Sequence, residues 1–100
     1  MDFNFEEKIY FEDEYAKYYT NSFTKTLTKY AQEDNATNGN RGIKCFVLLA
    51  DKDGDREYVI FNDKGIPIYA NRSYEAIAVK IDLLQFKTMC EVQENEERNN

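Results

Sequence analysis

From Phe11 to Ala31 the apolar and aromatic residues return at a helical spacing. Phe11, Tyr15, Tyr19, Phe23, Leu27 and Tyr30 fall on one arc, with Ala16 beside them, while Asp13, Glu14, Lys17, Asn21, Thr24 and Thr28 fall opposite. Such sorting, kept up over about five turns, predicts an amphipathic helix, although the threonines at 20, 24, 26 and 28 lower its intrinsic propensity. Read as a strand, Ser22 to Ala31 would leave both faces mixed. The run Asn35-Ala36-Thr37-Asn38-Gly39-Asn40-Arg41-Gly42 holds small and turn-forming residues and predicts a connection. Beyond it, Ile43 to Ala50 alternates Ile43, Cys45, Val47 and Leu49 with Phe46 and Leu48, so both faces of this strand are apolar.

Glu57 to Phe61 predicts a second strand, joined to the first through Asp51-Lys52-Asp53-Gly54-Asp55-Arg56, whose residues tolerate turn geometry. Asn62-Asp63-Lys64-Gly65 is the next turn, and Ile66 to Ala70 returns as a third strand. Pro67 lacks a backbone donor, which places that strand at a sheet edge. Ser73 caps a final helix from Tyr74 to about Cys90, with Glu75 in its first turn. This helix carries two apolar stripes. Tyr74, Ile77, Ala78, Ile81 and Leu84 form the broad one; Ala76, Val79, Leu83, Phe86 and Cys90 form a narrow one, bounded by Glu75 and Asp82 on one side and by Lys80 and Lys87 on the other. A single sheet covers only the broad stripe, so the narrow one needs the N-terminal helix, a copy of the chain or a partner.

The expected fold is therefore α+β: an N-terminal helix, a three-stranded antiparallel meander and a C-terminal helix, in the order αβββα. Residues 1–92 form one such domain and 93–100 a disordered acidic tail, polar throughout.

Composition narrows the function. Apolar residues make up 42% of the 100, enough for a folded core, while the longest apolar run, Cys45 to Ala50, is too short to cross a bilayer. The net charge of −6 opposes direct binding to nucleic acid or to anionic lipid. Histidine is absent, which removes the commonest general base and the commonest metal ligand together. The N-terminus has neither a basic segment nor an apolar one, so the expected location is the cytoplasm, where Cys45 and Cys90 read as buried thiols.

Asp51-Lys52-Asp53-Gly54-Asp55 starts like a calcium loop, but Arg56 stands where that loop needs glycine and Asn62 where it needs a bidentate carboxylate. A plain hairpin turn is expected there, with no metal and no cofactor. Neither cysteine has a histidine to activate it, there is no glycine-rich phosphate loop, and so small a chain has little room for a pocket. No catalytic residue is assigned, and the chain is not expected to be an enzyme.

The feature that exceeds an ordinary surface lies at the start. Residues 1–19 hold seven aromatic rings, six acids and two lysines, a local charge of −4. Tyrosine is enriched at binding hot spots because it offers amphipathic area at low entropic cost, and carboxylates beside such rings suit a basic groove. The expected contacts are Glu6, Glu7, Glu12, Asp13, Glu14, Tyr15 and Tyr18, with Asp51, Asp53 and Asp55 as a second acidic edge. Tyr18, at the margin of the apolar arc, is the ring least readily absorbed into a core.

The predicted layout over residues 11–90 resembles the double-stranded-RNA-binding domain. That resemblance implies a lysine cluster at the second helix, but the matching stretch is Asn71-Arg72-Ser73-Tyr74-Glu75-Ala76, and the first hairpin loop carries Asp51, Asp53 and Asp55. The half from Ile43 to Leu84 is similar to small DNA-binding domains at integrase N-termini, with the same charge objection. In layout and composition the chain also resembles small acidic phage-encoded inhibitors, the anti-CRISPR and nucleic-acid-mimicking host-takeover proteins. That resemblance implies a non-enzymatic inhibitor that places carboxylates in the basic site of a defence or replication enzyme of the host cell.

Two alternatives stand beside it. One is a homodimeric structural or accessory protein that buries Val79, Leu83 and Phe86 against a second copy. The other is a weak nucleic-acid-binding module using Lys25, Lys29, Arg41 and Lys44.

Overall fold

The structure, a computed structural model, describes residues 7–33 and 43–98, the latter with side chains through Lys87. Five strands and two helices follow in the order β1 (Lys8–Glu12), β2 (Lys17–Thr20), α1 (Ser22–Gln32), β3 (Phe46–Lys52), β4 (Asp55–Phe61), β5 (Pro67–Asn71) and α2 (Tyr74–Arg98). The strands form one antiparallel sheet in sequence order, β1-β2-β3-β4-β5.

This corrects the αβββα expectation: the sheet has five strands rather than three, and the single helix over Phe11–Ala31 is a β-hairpin followed by a shorter helix. Phe11, Tyr15, Tyr19 and Phe23 are spaced by four. An interval of four satisfies the strand period of two as well as the helical period, so the arc did not discriminate. Aromatic content decides for strand, because rings pack across a pleated ladder. Phe11 pairs with Tyr18 across the hairpin, and their rings stack with centroids 4.3 Å apart. Asn21 then stops β2 and starts α1. Its side chain accepts from the Thr24 amide at 2.9 Å while its own amide donates to Thr24 Oγ1 at 2.9 Å, a reciprocal cap that satisfies two otherwise orphaned donors.

Because β2 is short, β3 runs past it with an open backbone edge, and α1 fills the gap. The Val47 amide donates to Thr28 Oγ1 at 2.8 Å, and Gln32 Nε2 donates to the Cys45 carbonyl at 2.7 Å, so two residues one helical turn apart stand in for the missing strand. Cys45 is buried beneath this contact, and burial raises the pKa of its thiol.

Both helices pack on one face of the sheet. Leu27 and Ala31 of α1, Ile77 and Ile81 of α2, and Val47 and Ile60 of the sheet form one buried cluster. The opposite face carries a second cluster, Leu48, Ala50, Val59 and Phe61, covered by aromatic side chains instead of a helix. Phe61 on β4 lies within 6.3 Å of Phe11 on β1, although two strands separate them. The sheet therefore curls toward this face.

β5 is an edge strand and begins at Pro67, where no ladder donor is needed. The connection expected over 35–42 lies outside the described residues. α2 continues past Cys90 to Arg98, through part of the segment 93–100 that had been expected to be a disordered tail; Gln, Glu and Arg there are adequate helix formers. Among the described residues no helix is long and apolar enough to cross a membrane.

Candidate functional site

Two tight turns meet at one end of the sheet. In the β1–β2 turn, Asp13 Oδ1 accepts from the amides of Tyr15 and Ala16 at 2.8 and 2.9 Å, which closes the loop without glycine. In the β3–β4 turn, Asp53 and Gly54 adopt φ of 54° and 82°, the paired left-handed conformation that matches strand twist in a two-residue hairpin. The six-residue loop expected over Asp51–Arg56 is thus only two residues long, since Lys52 pairs with Asp55. Antiparallel pairing of Lys17 with Asp51 sets the two turns side by side. Residues 12–17 and 51–57 together hold seven acids and three bases, a local charge of −4.

The predicted contacts divide accordingly. Glu12, Asp13, Glu14, Tyr15, Asp51, Asp53 and Asp55 come together at this end. Tyr15 is 68% exposed, and among the described residues no ion pair engages Glu12, Glu14 or Asp53. Asp51 is internally committed: it accepts from the Gly54 amide at 2.9 Å and from Arg56 Nε at 3.1 Å. These two contacts explain its place in the loop as hairpin chemistry. Asp55 is paired with Arg72. Tyr18, expected to face a partner, is half-buried between Phe11 and Phe61, so it belongs to the aromatic cluster. Burial raises its phenol pKa, and the charges of Asp13 and Glu57 push the same way. Glu57 was missed in the sequence; its signal is the alternation with Val59 and Phe61 that puts it on the aromatic face. Glu6 lies outside the described residues.

Glu7 has a different role. Its carboxylate receives both terminal nitrogens of Arg56, at 2.9 and 2.6 Å, and Arg56 lies over the Tyr19 ring at 5.5 Å. The pair ties the chain entering β1 to β4 across the sheet. Hydrogen bonds from the guanidinium hold the Glu7 carboxyl below its ordinary 4.5. A depressed carboxyl pKa contributes stability that is present above the unfolded value and lost as pH falls through the folded one. Glu7→Gln is therefore expected to cost about 1 kcal/mol or less at neutral pH, because the Arg56 side chain is 40% exposed and water screens the pair. Urea midpoints of the two proteins should converge as pH is lowered below about 4.5; a gap that stays constant down to about pH 3 refutes the assignment.

On the aromatic face a groove of about 500 Å³ opens between the sheet and α1, floored by Tyr10, Phe46 and Leu48 and rimmed by Lys25, Thr28 and Lys29. The expectation that the chain has little room for a pocket is corrected here: α1 stands at the edge of β3 and leaves part of this face uncovered. Lys25 and Lys29 sit beyond Thr20, at the end of β2 remote from the acidic turns, so charge is segregated along the sheet. Lys44 is exposed just before β3, and Arg41 lies outside the described residues.

The narrow stripe of α2 is covered by neither α1 nor the sheet. Val79, Leu83 and Phe86 are 56%, 58% and 59% exposed. Compared with protein-family models, curated proteins and solved structures, the chain matches none.

Proposed function

We propose that this chain is a non-catalytic, protein-binding inhibitor that acts in the cytoplasm, seating the acidic end of its sheet in the basic, nucleic-acid-binding site of a defence or replication enzyme. What supports it is the adjacency of the two turns. Glu12 and Glu14 belong to the same turn as the exposed Tyr15, Asp53 and Glu57 to the turn beside it and the strand it opens, and no ion pair among the described residues neutralises them. Neighbouring strands are about 4.8 Å apart, so like charges on adjacent turns repel and cost folding free energy. The same field raises the rate of encounter with a positively lined cleft, and a tyrosine at its centre supplies contact area.

The test is affinity capture from host lysate, with wild type beside Glu12→Lys/Glu14→Lys/Asp53→Lys. A captured nucleic-acid enzyme should lose activity in the presence of the wild-type chain. The triple variant should bind it at least about 100-fold more weakly. Binding should also fall steeply toward about 0.5 M salt, where screening lengths shrink to a few ångströms. A complex untouched by both the charge reversal and the salt excludes the proposal.

A further inference from the structure

α2 is apolar on two opposite faces. Ile77 and Ile81 point into the core and are fully buried, while Val79, Leu83 and Phe86 are exposed on the far side of the same helix and the half-buried Ala76 continues their line beside Tyr69. Their spacing of three, four and three residues is the a/d pattern of a two-stranded coiled coil, narrower than the stripe a helix uses against a sheet. With Ala76 and Leu83 at a, and Val79 and Phe86 at d, Lys80 and Lys87 take the e positions, and Glu75 and Asp82 the g positions.

Three of the flanking charges are held at the margins of the stripe. Lys80 Nζ lies 5.2 Å from the centre of the Tyr69 ring, Glu75 accepts from Ser73 Oγ at 3.0 Å, and Asp82 accepts from the Tyr30 hydroxyl.

We infer that this face binds a second copy of the chain, with the two α2 helices side by side and parallel. The charges choose both the occupant and its direction. In a parallel pair each g residue faces the e residue of the following heptad on the other helix, so Glu75 meets Lys80 and Asp82 meets Lys87, on both sides of the seam. In an antiparallel pair g faces g and e faces e, which sets acid against acid and lysine against lysine.

α2 starts beside Asp55, whose partner Arg72 just precedes it, and Asn71 pairs with Tyr58 at that same end. A parallel dimer therefore turns both acidic ends the same way. The pairing itself does not rest on the proposed function.

Sedimentation of the full chain across micromolar concentrations should show a reversible monomer–dimer equilibrium. Leu83→Glu should raise the dissociation constant at least about 100-fold, since both copies lose a buried leucine and gain facing charges. Its thermal midpoint, measured in dilute solution, should match that of the wild-type monomer. In a Cys90→Ser background, Val79→Cys should form an intermolecular disulfide on mild oxidation, because d residues of parallel helices adjoin, whereas an antiparallel pair centred on Leu83 holds the two thiols about 12 Å apart along the axis.

A wild-type chain that remains monomeric to about 300 µM overturns the inference, as does a dimer indifferent to Leu83→Glu. A dimer that Leu83→Glu dissolves but that does not cross-link through residue 79 overturns the parallel arrangement. All three results are independent of whether the acidic end binds an enzyme.

Discussion

Phe61→Ala is expected to destabilise the fold by about 3–5 kcal/mol, enough to lower the thermal midpoint by on the order of 20 °C in a domain of this size. Phe61 is 4% exposed and is the hub of the aromatic face. Its ring stacks on Phe46 at 5.1 Å with the planes 8° apart, and it meets Tyr18 edge-on at 5.8 Å and Phe11 edge-on at 6.3 Å. Truncation removes the transfer free energy of a phenyl group, leaves a cavity, and deletes three ring contacts worth about 0.5–1.5 kcal/mol each.

No helix covers this face, so neighbouring structure has little with which to fill the void. The curl that brings β1 over β4 should relax as well. Tyr18 then becomes better solvated, and its phenol pKa should move back toward its ordinary 10.0, because burial is the main cause that raises it. Thermal denaturation and ultraviolet titration of the tyrosines measure the two effects. A loss below about 1 kcal/mol would show that the rings decorate the sheet without holding it.

Ile81→Ala should cost about 2–5 kcal/mol, whereas Leu83→Ala, two residues along the same helix, should change monomer stability by no more than about 0.5 kcal/mol. Ile81 is fully buried in the cluster formed with Leu27, Ala31, Val47, Ile60 and Ile77, where both helices meet the sheet. Deleting its branches opens a cavity among groups fixed by three separate elements, so collapse is restricted. Leu83 projects the other way and is 58% exposed. Urea unfolding at low protein concentration separates the two. Equal losses would mean that the narrow stripe is folded against the chain itself, and the two-faced helix would have to be abandoned.

Elements whose signals are local could be read in advance. The strands around Val47, Ile60 and Tyr69, the existence though not the two-residue length of the turn between the first two of them, the Ser73 cap and the two stripes of α2 depend on residues within one or two turns of each other. The first third of the chain was misassigned for a definable reason: a spacing of four is common to both periodicities, and the turn that breaks the pattern contains neither glycine nor proline. Asp13 makes that turn with its own side chain, and its signature is a single acid among many.

The acidic end was half legible. The runs Glu12–Glu14 and Asp51–Asp55 stand out in the composition, but their adjacency follows from the pairing of Lys17 with Asp51. Asp51 is committed by local hairpin contacts, to the Gly54 amide and to Arg56, whereas Asp55 is committed by Arg72, which is remote in the sequence. Outside that end, Arg56 also takes Glu7, 49 residues away, and no local pattern specifies either of the two distant choices.

By itself the amino-acid order determined where apolar surface lies from β3 onward, where glycine and asparagine break that part of the chain into turns, and that α2 has one face more than a sheet can cover, because these properties are written in side-chain type and period. The tertiary structure alone decided that the aromatics from Tyr10 to Tyr19 form a hairpin, that Thr28 and Gln32 complete the β3 edge, and which carboxylates among the described residues take an ion pair. Strand register joins groups distant in the chain, and the free energy that selects it comes from packing between elements rather than from the preference of any one of them.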